Sequence, residues 1–121
     1  MRDYRKIQAW KLSDELTLAV YECTRNFPQA EIYGLTSQLR RAAYSVPANI
    51  VEGSSRETQR DYLHFLYISR GSLSETQYFV HLASRLGYLT TEQAELLEGA
   101  GRRTFACLHG LITAVEKQTG K

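Results

Sequence analysis

Tyr33-Gly34-Leu35-Thr36-Ser37-Gln38-Leu39-Arg40-Arg41-Ala42-Ala43-Tyr44-Ser45-Val46-Pro47-Ala48-Asn49-Ile50-Val51-Glu52-Gly53 is the stretch that decides how this sequence folds. Leu35, Leu39, Ala42, Val46 and Ile50 recur every three or four residues, so they line one face of a helix over about residues 32–52. Pro47 falls inside it. Proline lacks an amide proton and presses on the carbonyl four residues back, so a kink near Tyr44 and Ser45 is predicted. Ser45 and Asn49 are short polar side chains suited to re-satisfying the freed groups. A split into two shorter helices is the alternative. Gly53 and the pair Ser54-Ser55 predict the stop.

Outward from this segment the same period continues. Leu12, Leu16, Val20 and Cys23, flanked by Ile7, Trp10 and Ala19, place a first helix over about residues 7–26, closed by Pro28. A third helix is predicted to start after Ser54, where Ser54 and Glu57 have capping-box spacing, and to run to about Leu86, with Gly87 as its stop. Its expected buried residues are Tyr62, Phe65, Leu66, Leu73, Phe79, Val80 and Ala83. A fourth begins at Thr90, which pairs with Gln93 in a second capping box, and carries Leu97, Gly101, Thr104, Leu108, Leu111 and Val115. No segment shows sustained two-residue alternation. Short connections force neighbouring helices to be antiparallel, so the expected fold is an all-α, up-down four-helix bundle in a single domain over residues 1–121.

Composition agrees with that size and class. A chain of 121 residues, 43% hydrophobic and 23% charged, is long enough to bury a core without staples. No apolar run approaches the roughly 20 residues needed to span a bilayer, and the charged start is not followed by an apolar signal core. A cytoplasmic location is the expectation. Two cysteines, Cys23 and Cys107, suit a reducing compartment. They are expected at different heights of the bundle, by about 24 Å of helical rise, and so unbridged.

The second helix, with Phe27-Pro28 and Glu31 before it, Trp10 in the first helix and Gly71-Ser72-Leu73 with Glu75 in the third, resembles a bacterial family. These are the four-helix bundle proteins of 23S ribosomal RNA intervening sequences. The resemblance spans nearly the whole chain and is weaker in the fourth helix, where Gly99, Gly101 and Gly110 make an indifferent helix former. It implies a homo-oligomer, typically a pentameric ring. The architecture is also similar to accessory proteins of diversity-generating retroelements, which bind nucleic acid and partner a reverse transcriptase.

Catalytic and metal chemistry find no support in the residues. His64, His81 and His109 are never three or four residues from one another, and no glutamate precedes a histidine by three. There is no phosphate-cradling glycine loop and no nucleophile elbow. No enzyme activity, cofactor, metal or small-molecule substrate is expected. The positive lead is arginine, which outnumbers lysine. Counting along the helices sets Arg40, Arg41, Arg70, Arg102 and Arg103 at one height, with Arg56 and Arg60 lower, at the connection between the second and third helices. Repeated around a ring, such a belt would attract the phosphates of RNA or DNA even at a net charge of +2. The plainer reading pairs Arg41 and Arg70 with Glu52, Glu75 or a neighbouring subunit's carboxylates, and leaves the others solvated. Tyr67, Ile68 and Tyr78 lie away from the stripe of the third helix and are the candidate subunit contact. A protein-interaction scaffold without nucleic-acid binding is the competing function.

Overall fold

Where the apolar period places helices, helices form. The computed structural model describes residues 2–120, and its elements are α1 (Gln8–Thr24), α2 (Leu35–Ser54), α3 (Gln59–Arg85) and α4 (Thr91–Gln118). Short 3-10 turns at Tyr4–Lys6 and Gln29–Glu31 precede α1 and α2. Each helix packs on its neighbours in sequence, and α4 closes the cycle against α1. Leu16, Val20, Leu39, Val46, Ile50, Leu66, Leu73, Leu97, Leu108 and Ile112 are buried along the common axis. No strand occurs among the described residues. The stripes are shifted slightly from those expected. Leu12, Phe65, Phe79 and Leu111 are only half-buried, while Leu63, Ser69, Thr76 and Ile112 take interior positions.

Helix α2 runs unbroken through Pro47. The carbonyl that proline leaves without a donor is that of Ala43, four residues back. It faces Thr17 Oγ1 of α1 at 3.1 Å and shares that hydroxyl's single proton with the nearer Ser13 carbonyl at 2.8 Å. Ser45 and Asn49, the expected repair, bond elsewhere: Ser45 Oγ donates to the Arg41 carbonyl at 2.7 Å, and Asn49 Nδ2 to the Ser45 carbonyl at 2.8 Å. Both partners sit beside the gap rather than in it. From the other side, Ser69 Oγ of α3 donates to the Val46 carbonyl at 2.8 Å. The proline turn is therefore held by hydroxyls from both neighbouring helices.

The α2–α3 junction departs from the expected capping box. Gly53 does not stop α2; it lets α3 approach, since a Cβ there would meet Phe65 Cβ at 2.9 Å and the Tyr62 carbonyl at 3.2 Å. Ser54 is the last residue of α2, buried, with its hydroxyl on the Val51 carbonyl at 2.7 Å. It therefore lies inside α2 rather than at the start of α3, and Thr58 caps α3 by accepting from the Asp61 amide at 3.0 Å. The open carbonyls at the end of α2 are covered by Arg2. Its guanidinium donates to the Arg56 carbonyl at 2.8 Å, reaches the Ser54 carbonyl and the Gln59 side chain, and lies 4.1 Å from the Tyr62 ring centre.

The remaining junctions follow their residues more closely. Gly87 ends α3 at φ +77, with its amide bonded to the Ser84 carbonyl and that of Tyr88 to the Ala83 carbonyl, both at 3.0 Å. The Thr90–Gln93 capping box opens α4 with both reciprocal bonds in place. Helix α2 begins at Leu35 rather than near residue 32, because the turn at Gln29–Glu31 brings Glu31 back onto its first amide. The Glu31 carboxylate accepts from Leu35 N at 3.1 Å and from the Tyr88 hydroxyl at 2.9 Å.

Candidate nucleic-acid interface

Arginine is long enough to fold back along its own helix, and on α4 two arginines do so over the same glycine. A Cβ added at Gly99 would meet Arg103 Nη1 at 3.3 Å and Arg102 Nη2 at 3.8 Å. Gly99 stands three residues before one arginine and four before the other, the spacing at which helical side chains share a face. With no side chain in the way, both guanidinium groups converge above it. Neither forms an ion pair among the described residues, with Glu98 lining the same recess as Arg102 and Glu15 the same hollow as Arg103. The ion pairs among the described residues are Arg5–Asp3, Arg25–Glu22 and Arg56–Glu52. Two exposed, unpaired forks at one point make a cradle for an anion, and phosphate is the anion whose geometry arginine matches.

A recess of about 210 Å³ opens beside this pair, between α3 and α4, with Arg102 in its wall. Leu16, Val80 and Leu97 form its apolar floor, and Gln77, His81 and Glu98 its polar rim. Gly101 keeps it open, because a Cβ there would lie 3.3 Å from the Gln77 side chain. Farther along, the same ridge of α4 carries Phe105 and His109, whose rings stack at 6.4 Å and 4°. Across the groove on α3 stands His81, with the exposed Tyr78 ring 6.4 Å away on its outer side. The ridge ends at Glu116, which accepts from the Tyr67 hydroxyl at 2.5 Å.

The other arginines do not join this pair in one belt. Arg102 lies beside Gln77 and His81, seven and eleven residues beyond Arg70 on α3, or about 10 and 16 Å along the axis. The equal height expected from counting does not hold for Arg70, because α4 is offset along α3. Arg70 is half-buried and lies over the Tyr67 ring at 5.1 Å. Arg40 is held against α1, with Nε donating to Thr24 Oγ1 at 2.8 Å and its guanidinium over Tyr21 at 4.7 Å. Arg56 pairs with Glu52 at 3.0 Å and covers Phe65. Arg60 lines a shallow hollow with His64 and Tyr67. Arg41 is exposed, and the pairs proposed for it and for Arg70 with Glu52 or Glu75 do not form among the described residues. Gly99, Gln77, His81 and Glu98 carried no signal in the sequence beyond the glycine-to-arginine spacing.

On the outer face of α3, Ile68 and Tyr78 stay exposed, while Tyr67 turns into the α3–α4 seam toward Glu116. Cys23 and Cys107 are both free thiols. Among the described residues no group of three or more histidine, cysteine, aspartate or glutamate side chains lies together as a metal site would require. No helix is long and apolar enough to cross a membrane.

Comparison with known proteins places this geometry. The model of the family described as 23S rRNA-intervening sequence protein matches residues 5–110. Among solved structures, a protein of unknown function from the S23 ribosomal protein family of Bacteroides thetaiotaomicron VPI-5482 is 24% identical, with a TM-score of 0.77. The match covers 86% of this chain and 97% of that one. At that identity the likeness carries the fold. No curated protein matches the chain.

Proposed function

The chain belongs to the 23S rRNA-intervening sequence protein family, and from that premise we propose that it is a non-enzymatic nucleic-acid-binding bundle that grips phosphate through Arg102 and Arg103. The observation that carries this reading is the convergence of the two unpaired guanidinium groups over Gly99. Like charges gathered with no carboxylate in ion-pair contact repel one another, and a bound phosphate relieves that repulsion. In a homo-oligomer, a pentameric ring in this reading, the cradle would recur on every subunit and bind one RNA or DNA strand at several points. Leu18 at 66% exposure, Tyr78 at 57% and Ile68 at 40% are apolar surface available for such assembly.

A titration of labelled RNA and DNA at two salt concentrations tests the proposal. Replacing Arg102 and Arg103 by alanine should weaken binding and flatten the salt dependence by about 1.4 to 1.8 in log–log slope, the share of two phosphate contacts. An unchanged slope, or no binding by the wild type at low salt, overturns it. Light scattering at micromolar concentration tests the assembly, and a monomeric mass overturns that part. The scaffold reading draws on Tyr33, 92% exposed beside Ile32 on the α1–α2 turn, an apolar knob suited to a protein partner. Loss of partner capture in Tyr33→Ala with nucleic-acid binding absent in the wild type would favour it.

A further inference from the structure

The recess beside the arginine pair has a size and chemistry of its own. At about 210 Å³ it is smaller than the roughly 300–1,000 Å³ of sites for drug-sized ligands. Its floor of Leu16, Val80 and Leu97 is apolar, and its rim offers a carboxylate from Glu98, an amide from Gln77 and an imidazole from His81. A planar ring with hydrogen-bonding edges fills such a space, and a phosphate attached to that ring by one sugar reaches the neighbouring cradle. Arg102 belongs to both, being in the wall of the recess and over Gly99. We infer that this corner of α3 and α4 takes one unpaired nucleotide of a single-stranded RNA, with its base in the recess and its phosphate on Arg102 and Arg103.

The inference rests on the nucleic-acid reading above and narrows it. Bases in a duplex are stacked and paired, so a recess that swallows a base selects single strands, loops or ends. The ridge beyond it suits the following nucleotides, since the stacked Phe105 and His109 rings present flat faces on which bases stack. Glu98 can only accept hydrogen bonds when ionised. It therefore suits the two-hydrogen exocyclic amine of adenine or cytosine better than uracil, whose edge has a single N3–H donor between two acceptors.

Fluorescence anisotropy with the full-length chain separates these ideas. The probes are a labelled oligoadenylate, an oligouridylate of the same length, and an RNA duplex. The wild type should bind the oligoadenylate most tightly. Gly101→Val, which drives Gln77 into the recess, should weaken single-strand binding about tenfold and leave duplex binding unchanged. Gln77→Leu on the half-exposed rim, a change that spares the helix, should act in the same direction if Gly101→Val proves too unstable to assay. The arginine double variant should weaken every probe. Recess variants that leave single-strand binding intact, or equal affinity for strand and duplex, would overturn this inference while leaving phosphate binding in place. Absence of binding to any probe would overturn both.

Discussion

Thr17 shows how much one hydroxyl does in this bundle. Its Oγ1 lies 3.1 Å from the Ala43 carbonyl, the acceptor that Pro47 leaves bare. Thr17→Val keeps the shape and removes the donor, so a loss of about 1–2 kcal/mol is expected, seen as a lower urea midpoint at unchanged slope. Thr36 presents the opposite case. Its Oγ1 is buried without a hydrogen-bond partner among the described residues. Thr36→Val should therefore be neutral or stabilising by up to about 1 kcal/mol in the same assay, and a clear loss would reveal a partner for that hydroxyl. Pro47 was legible in the sequence as a disturbance, but its remedy was not. Ser45 and Asn49 are the remedies expected from sequence because they are near in the chain. The donor that reaches Ala43 comes from another helix, and periodicity says nothing about which residue of one helix faces which of the next.

Elements were legible where the signal is local. Stripes of leucine and valine, the Thr90–Gln93 box and the stop at Gly87 all depend on a few adjacent residues; the box and the stop stand in the structure, and the stripes stand with small shifts at Leu12 and Leu111. The α2–α3 junction was misread because it depends on packing. Gly53 looks like a helix terminator in sequence, yet it serves the close approach of α3, and Ser54 is still part of α2. Gly53→Ala distinguishes these roles. A terminator would tolerate or even welcome the methyl group. At this crossing the methyl meets Phe65 Cβ at 2.9 Å and Tyr62 backbone at 3.2 Å. A net loss of about 1–3 kcal/mol is expected, visible as a lower melting temperature by circular dichroism. The candidate site was legible only in its residue types. Arg102 and Arg103 were singled out by charge, while the partners that give them a recess, Gln77 and His81, lie on α3 and depend on the offset of two helices.

Across the whole molecule, three phenols couple stability to alkaline pH. Burial, opposed by the nearby Arg2 charge, pushes the Tyr62 hydroxyl up from its ordinary value of 10. Tyr67 and Tyr88 are raised chiefly because their neutral hydroxyls donate to Glu116 and Glu31. The folded protein thus keeps protons that the unfolded chain gives up. The stabilisation is complete below pH 10 and is lost as pH rises through the raised folded values. The urea midpoint should fall above pH 10, and Tyr67→Phe with Tyr88→Phe should make that fall shallower; an unchanged profile would contradict the assignment. Gly99 has a consequence at this scale too. A glycine inside a helix is worse than alanine by about 0.8–1.0 kcal/mol, so its replacement by alanine should raise the melting temperature while crowding the arginine pair and weakening phosphate binding. Selection for durability alone would erase that glycine, and its persistence among descendants of this gene is what the proposed phosphate role predicts.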